Sequence, residues 1–227
     1  MKRIIAVGIM LMSVLLTLSL HGAFAQNEIS EEAAIAESNN YVTQGYSLQG
    51  QEAIDLYDKA IQIYPQNFYA YYNKGTTLIQ LERYREAVEA LNMALSIKPD
   101  DSDALVNKAV ALIGAARSGQ YTNAEAAYQK AIQACDMAIQ LSESNLRAWN
   151  NRGQAEWSLG ELTQDTSILL KAYHDFRHVY DIGSGSYGAD AGIQADEVYR
   201  RMLELGWQPP NNENPYGFRE EASGVLG

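Results

Sequence analysis

Apolar and small side chains recur at every third or fourth position through most of the 227-residue chain. Between Tyr71 and Leu78 they follow the spacing i, i+4 and i+7, and the spacing continues from Tyr84 to Ile97. This spacing puts an apolar stripe along one face of an α-helix. The pattern therefore predicts an all-α chain of consecutive amphipathic helices. The predicted helices cover residues 33–44, 50–63, 68–81, 84–97, 102–116, 120–142, 146–159, 163–181 and 189–205.

The helical pattern repeats along the chain. Pro65 and Pro99 lie 34 residues apart, and the apolar and small positions that precede them follow the same interval. Further along, the interval becomes 44, so that Leu105 corresponds to Trp149. One insertion of ten residues near Gly114–Ala127 explains the change. A fixed period of this length is typical of stacked helical hairpins.

Small residues occupy the positions where the two helices of a hairpin are expected to cross. Gly75 lies in one predicted helix and Ala87 in the next. A larger side chain at either position would push the two backbones apart, because helix interfaces are closely packed. Pro99 follows the second helix and disfavours helical backbone in the residue before it. The sequence therefore predicts hairpins that end at these prolines.

Residues 68–101 resemble one unit of the tetratricopeptide repeat family. The family pattern runs from an aromatic residue through Leu-Gly, Tyr and Ala to a second aromatic residue, Ala and Pro. The corresponding positions here are Tyr71, Lys74, Gly75, Leu78, Ala87, Leu91, Ala94 and Pro99. Lys74 and Leu91 depart from the usual leucine and aromatic residue. Two further units match in part, through Trp149, Gly153 and Gly160, and through Ala53, Tyr57, Ala60 and Pro65.

The resemblance covers about residues 34–181 and implies a fold. That fold is a TPR-like superhelix of stacked antiparallel helix pairs. Repeat arrays end in a helix with one polar face, so helix 189–205 is expected to act as a C-terminal capping helix. Its predicted apolar face consists of Ile193, Val198, Met202 and Leu205.

The N-terminal residues have the pattern of a secretory signal peptide. Two basic residues precede an apolar run from Ile4 to Leu20, and Ala23 and Ala25 supply the small residues that a signal peptidase requires. We expect cleavage after Ala25 and an exported protein, whether periplasmic, cell-envelope or extracellular. An uncleaved N-terminal anchor is the alternative, since the apolar run is at the lower limit for spanning a bilayer. No second long apolar run follows, so no membrane insertion is expected after cleavage.

Three segments follow from these patterns. Residues 1–25 are the signal peptide, and residues 26–182 form the repeat domain. Residues 183–227 comprise a Gly/Ser loop, the capping helix and a flexible tail that is rich in Pro, Asn and Gly.

Charge and cysteine content exclude several classes of function. The chain has 28 acidic and 17 basic residues, a net charge of −11 and an isoelectric point near 4.7. Binding to nucleic acid or to an anionic membrane needs clustered Lys and Arg, so neither partner is expected. The single cysteine, Cys135, cannot form an internal disulfide, and its helical, apolar surroundings predict a buried small side chain.

Two short motifs are candidates for chemistry. His174 and His178 lie four residues apart on a predicted helix and fit a zinc pair, with Asp196 or Glu197 as a further ligand. Exposed helical histidines are the simpler interpretation. The glycines of 183–188 spell GxGxxG, but a helix precedes them where a phosphate-binding loop needs a strand, so a hinge loop is predicted. We predict no catalytic residues, no metal site and no cofactor.

The resemblance also implies a binding surface. In tetratricopeptide repeat proteins the second, fifth, ninth and twelfth positions of each unit face a concave groove. In the first full unit these positions are Tyr69, Tyr72, Thr76 and Ile79. In the next units they include Asp103, Val106, Val110, Arg147, Asn150, Gln154 and Trp157. Such a groove is neutral and aromatic-aliphatic, although Val106 and Val110 are equally consistent with internal packing.

Some members of the family hold a C-terminal carboxylate with Lys, Arg and Asn on this surface. Asn107 and Arg147 stand at suitable positions for that clamp, whereas Tyr72, Thr76 and Asn151 replace its other members. The clamp is therefore incomplete.

The sequence favours an exported protein–protein interaction module that binds a peptide or helix of a partner in the groove. One alternative is a structural scaffold or assembly factor of an envelope complex, which acts through its convex face or by forming a homo-oligomer. A lesser alternative is a zinc-dependent hydrolase that uses His174 and His178.

Overall fold

The computed structural model of the chain describes residues 30–209. Over this range it contains nine α-helices and no β-strand, which confirms the predicted all-α fold. The first helix, α1, covers 30–46. The others are α2 (Gly50–Ile63), α3 (Phe68–Gln80), α4 (Tyr84–Ile97), α5 (Ser102–Arg117), α6 (Ala124–Leu141), α7 (Leu146–Thr163), α8 (Thr166–Ile182) and α9 (Gly185–Glu204). The predicted signal peptide lies outside the described residues.

Several helices begin at a polar residue whose side chain accepts hydrogen bonds from the first backbone amides. Asn67 accepts from the amides of Tyr69 and Ala70 at 3.1 and 3.3 Å, and Asp165 accepts from the Ser167 amide at 2.8 Å. Asn123 and Asn145 cap α6 and α7 in the same way. These caps satisfy amides that have no partner within the helix, and so they fix where each helix starts.

The ten-residue insertion is distributed over one hairpin. Compared with the α3–α4 hairpin, α5 is three residues longer than α3, the following turn is three residues longer, and α6 is four residues longer than α4. Helix α6 begins at Ala124 and not at residue 120, because Asn123 caps it. The insertion therefore lengthens both helices and the turn between them.

The Gly/Ser loop predicted over 183–188 is shorter in the structure, because α9 begins inside the predicted loop. Helix α9 begins at Gly185, so most of the GxGxxG motif forms its first turn and the connection to α8 is two residues long. Gly188 is buried and its backbone lies against that of Gly183, which is possible because neither residue has a side chain. The motif is a close helix–helix contact rather than a hinge.

Residues 30–107 form one compact unit, unit 1. In unit 1, α2 packs on α3 and α3 on α4, and the short turns make neighbouring helices antiparallel. A Cβ atom at Gly75 would lie 2.6 Å from Cγ of the buried Leu91, so the predicted crossing of α3 and α4 is tight. At the start of α3, Asn67 donates a 2.8 Å hydrogen bond to buried Ser38, whose hydroxyl donates to the Ala60 carbonyl. These bonds attach α1 to the α2–α3 turn.

Residues 108–209 form unit 2, in which α6, α7, α8 and α9 pack in sequence. Its α8–α9 core contains the buried residues Leu169, Ala172, Tyr173, Phe176, Ala195, Val198 and Met202. The apolar face predicted for α9 is correct at Val198 and Met202. It is wrong at Ile193, which is 59% exposed because it lies on the side of α9 away from α8.

Cys135 lies in α6 with no exposed surface, as the sequence predicted. Burial raises the pKa of its thiol far above the ordinary value, so the reactive thiolate does not form at neutral pH.

Among residues 30–209, no helix is both long enough and apolar enough to cross a bilayer.

Candidate functional site

In unit 1 the predicted binding surface contains a cluster of three aromatic rings on α3, which we call the α3 cluster. Tyr69 is 56% exposed and meets the buried Phe68 ring edge-on, with 5.3 Å between ring centroids. Tyr72 is half-buried and stacks on Phe68 at 5.7 Å. The ammonium of Lys98 lies 4.8 Å from the Tyr69 ring centroid and 4.4 Å from that of Phe68. Packing on Phe68 and Lys98 therefore limits the motion of the exposed tyrosine, which suits a contact residue.

Two of the predicted surface residues do not line an open face. Val106 has no exposed surface, and Asn107 is buried with its amide donating a 3.2 Å hydrogen bond to the Thr76 hydroxyl. The surface assignment of Asn107 is wrong, and for Val106 the internal packing that the sequence left equally open is the arrangement found. Helix α5 is apolar or small around almost its whole circumference, which is typical of a helix buried on all sides. Ile79 is half-buried, and Asp103 is exposed in the first turn of α5.

In unit 2 the predicted residues Asn150, Gln154 and Trp157 lie along one face of α7, because their spacing follows the helical period. All three are half-buried, as is Val110 in α5, and Arg147 is exposed. Trp157 also packs edge-on against Phe176 of the α8–α9 core, with centroids 6.1 Å apart.

A cavity of about 620 Å³ opens beside Trp157 in unit 2. We call it the α7 groove, and it is lined by Arg117, Tyr128, Trp157, Ser158, Glu161, Glu197, Arg200, Arg201 and Glu204. Three arginines face three glutamates, so this part of the surface has no net charge, but it is not the aromatic-aliphatic surface that the sequence predicted. Arg201 bonds Glu161 at 3.0 Å and Glu204 at 3.1 Å, and Arg117 donates to Ser158 at 2.9 Å.

The other face of α7 carries a second site, which the sequence did not predict. Its centre is Arg152, whose guanidinium bonds both carboxylate oxygens of Asp175 at 2.7 Å. A third bond of 2.7 Å reaches Asp136 in α6. Arg152 also lies 4.6 Å above the ring centroid of Trp149, and the hydrogen bonds to Asp175 raise the pKa of Arg152 beyond its already high value. The ion pair ties α6, α7 and α8 together.

A cleft of about 590 Å³ lies beside this ion pair, and we call it the Glu156 cleft. Its lining residues are Ile132, Asp136, Trp149, Arg152, Glu156, Lys171, His174, Asp175 and His178. Glu156 is only 6% exposed, and its Oε2 atom accepts no hydrogen bond from any residue between 30 and 209. The buried Nε2 atom of His178 likewise has no hydrogen-bond partner within this range.

Burial raises the pKa of Glu156 to about 8, and the negative charge of Asp175 adds to the shift. In the unfolded chain the carboxyl ionises near the ordinary value of 4.5. In the folded protein the Glu156 carboxyl stays protonated up to about pH 8. This group alone therefore lowers folding stability as pH rises from about 4.5 to about 8, above which its contribution no longer changes.

The predicted pair His174 and His178 does line the Glu156 cleft. The His178 ring lies against the Trp149 ring, with 4.1 Å between centroids. In the part of the chain that the structure describes, however, no three His, Cys, Asp or Glu side chains are placed to hold a metal ion. The further ligands that the sequence suggested, Asp196 and Glu197, are exposed on α9, outside this cleft.

The residues of the ion pair left only an indirect signal in the sequence. Asp175 stands between the two histidines that the sequence singled out, and Glu156 follows Arg152 by one helical turn. Nothing in the pattern connects Arg152 to a partner 23 residues away, since that contact depends on how α7 packs on α8.

Comparison with known families matches residues 49–113 and 114–176 to two family models, each described as tetratricopeptide repeat. Together the two matches cover more than half of the chain. The chain belongs to the tetratricopeptide repeat family, and its fold is that of a protein–protein interaction module. Proteins of this family are generally non-enzymatic scaffolds. The boundary between the matches, at residues 113 and 114, lies where the ten-residue insertion was predicted to begin.

Several solved structures are similar in fold. MamA from Desulfovibrio magneticus RS-1 is 19% identical, with 78% of this chain and 76% of that chain covered and a TM-score of 0.42. TTC0263, a TPR protein of Thermus thermophilus, is 17% identical over 74% of this chain and 95% of its own, with a TM-score of 0.48. YrrB, described as a TPR protein with an unusual peptide-binding site, is 19% identical over 78% and 86%, with a TM-score of 0.45. Comparison with curated proteins gives no match.

Proposed function

We propose that the protein is an exported interaction module that binds a peptide or helix of another protein along the first helices of its repeats. The observation that supports this most directly is the α7 groove, a cavity of about 620 Å³ with aromatic side chains in its lining. The half-buried Trp157 offers a large aromatic surface with few rotatable bonds, which lowers the entropy lost on binding.

The charged side chains of the α7 groove favour a partner segment that carries both signs of charge. Arginines and glutamates are present in equal number, and several are already paired within the groove. A uniformly acidic or basic peptide would meet as much repulsion as attraction. Side chains of alternating charge fix the orientation and register of a bound segment more than they raise its affinity.

Reversing one exposed charge of the groove tests this proposal. Pull-down from the host's envelope fraction identifies a partner, and the affinity of its purified binding segment is then measured by calorimetry. We expect Arg200→Glu to weaken binding by about tenfold or more, because like charges placed opposite each other disfavour association. Lys130→Glu is the matched control, since Lys130 is exposed on α6 and does not line the groove.

The α3 cluster of unit 1 is tested in parallel with Tyr69→Ala, and Tyr46→Ala is its control because Tyr46 is an exposed tyrosine of α1. If neither Arg200→Glu nor Tyr69→Ala changes the affinity for the partner segment, neither the α7 groove nor the exposed face of α3 is the binding surface and the proposal is wrong.

A scaffold that self-associates remains the second candidate, and exposed apolar side chains near the α8–α9 turn favour it. Ile182 at the end of α8 is 61% exposed, and Tyr180 and Ile193 are also exposed. Light scattering coupled to size exclusion distinguishes the two candidates. A mass that rises with protein concentration supports self-association, whereas a constant monomer mass does not.

Export is a separate part of the proposal and rests on residues 1–25 alone. Intact-mass measurement of the protein purified from its host tests it. We expect a chain that begins at Gln26. A chain that retains the N-terminal segment would instead support the anchor alternative.

A further inference from the structure

Outside the α7 groove, the Glu156 cleft contains a buried carboxyl group, that of Glu156, with an oxygen atom that has no hydrogen-bond partner among residues 30–209. Glu156 is nine-tenths buried, and a carboxylate oxygen without a hydrogen bond is costly in such a position. His178 lines the same cleft, and its buried Nε2 atom is equally unpartnered among residues 30–209. Two residues that line one cleft from neighbouring helices therefore each carry a polar atom that a hydrogen-bond donor would satisfy.

The charges of the cleft indicate which donor fits. Arg152 is engaged by Asp175 and Asp136 through all three of its bonding nitrogens, so it is already neutralised within the protein. With Glu156 ionised, the charged lining residues include three carboxylates and two cations, which leaves one negative charge in excess. An entering cation would balance that charge, whereas an entering anion would add to it.

The volume and the lining of the cleft narrow the class of cation that fits it. Its volume of about 590 Å³ is ample for an alkyl chain with a charged end. Ile132 and the ring of Trp149 supply apolar lining for methylene groups. Within the described residues no set of three ligands is placed for a metal ion, so a divalent cation lacks the coordination it requires.

We propose that the Glu156 cleft binds a primary ammonium group on an alkyl chain, as found in a lysine side chain or a small free diamine. The ammonium donates a hydrogen bond to Glu156, while its methylene groups pack beside Ile132 and Trp149. The rotatable bonds of the glutamate side chain allow it to turn its unpartnered oxygen toward the cleft. The lining of this cleft shares no residue with that of the α7 groove, so the site does not depend on the groove proposal.

Binding of the ammonium is coupled to a proton. Glu156 holds its proton up to about pH 8, and the bound cation favours the ionised carboxylate, so binding at pH 7 releases close to one proton. The charged groups that act on Glu156 are Asp136 from α6, Arg152 from its own helix, and Lys171 and Asp175 from α8, and His174 and His178 also line the cleft. Affinity is therefore expected to rise with pH up to about 8 and then to level off.

Isothermal titration calorimetry of the purified protein tests the site. The probes are Nα-acetyl-lysine amide and 1,4-diaminobutane, and Nα-acetyl-norleucine amide is the control ligand without an amine. Titration at pH 7 in two buffers of different ionisation enthalpy gives the number of protons released. We expect an amine to bind with close to one proton released, and the norleucine control not to bind. Tighter binding of the lysine derivative indicates a protein side chain as the natural ligand, and tighter binding of the diamine indicates a small molecule.

The variant Glu156→Gln keeps the shape of the side chain and removes its charge. We expect it to fold, because it removes a buried ionisable group, and to bind amines at least tenfold more weakly, since a charge-assisted hydrogen bond becomes a neutral one. Its proton release should fall by about one proton relative to the unsubstituted protein. Glu125→Gln, an exposed glutamate on α6, is the matched control and should behave like the unsubstituted protein.

Three results would overturn the proposal. The first is that neither amine binds at millimolar concentration between pH 7 and pH 8.5. The second is that the norleucine control binds as tightly as the lysine derivative, and the third is that Glu156→Gln leaves affinity and proton release unchanged. Proton release by the unsubstituted protein tests the proposal even if the variant fails to fold.

Discussion

Replacing Arg152 with leucine is expected to lower the free energy of unfolding by about 3–5 kcal/mol, because a buried carboxylate loses its counter-charge. The Asp175 side chain is only 5% exposed and receives two hydrogen bonds from Arg152 at 2.7 Å. Water cannot replace these bonds without opening the contact between α7 and α8. Urea unfolding followed by circular dichroism measures the change.

Two further variants show whether the effect comes from the buried ion pair. Arg201→Leu removes a more exposed arginine that bonds Glu161 and Glu204, and it should cost no more than about 1 kcal/mol. The double variant Arg152→Leu and Asp175→Leu should recover much of the lost stability, since it leaves no unpaired charge at the pair's buried position. If Arg152→Leu costs as little as Arg201→Leu, the pair does not hold the three helices together.

Replacing Phe176 with alanine is expected to cost about 3–5 kcal/mol, because it removes a large side chain from a closely packed core. The Phe176 ring has no exposed surface and fills the space above Gly153, where an added Cβ would lie 2.9 Å from the ring. It also meets Trp157 edge-on. The same urea unfolding experiment measures the loss of stability.

The control for this variant is Leu162→Ala. Leu162 lies on α7 and is 55% exposed, so its truncation leaves no cavity and should change stability by less than about 1 kcal/mol. A Phe176→Ala variant as stable as the Leu162→Ala variant would mean that the α7–α8 crossing is not packed as described.

The fold could be predicted because its determinants are local and periodic. The helical spacing of apolar residues follows from the geometry of a single helix, and Gly75 marks a crossing because only a small residue fits against the adjoining helix. The insertion was found from a change of interval. The predicted start of α9 was wrong by four residues, because two glycines that suggest a loop instead allow close contact between α8 and α9.

The candidate sites were less predictable because they depend on which side chains meet between helices. The resemblance located Trp157 and Asn150 on one face of α7, but it gave no sign that three arginines and three glutamates surround that face. Val106 was assigned to the surface by its position in the repeat, and its burial results from the apolar composition of α5. Arg152 and Asp175 come together only when α7 and α8 pack.

The glycines at the helix crossings limit which exchanges of helices between repeats the fold can accommodate. Gly45 faces the ring of Tyr57, Gly75 faces Leu91, and Gly153 faces Phe176. Each gap is therefore filled by a different side chain, and the helices of one hairpin are shaped for each other. A second helix transplanted from another repeat would bring a side chain of the wrong size to the gap. Recombination between repeats is expected to preserve this protein only when it exchanges both helices of a hairpin as one piece.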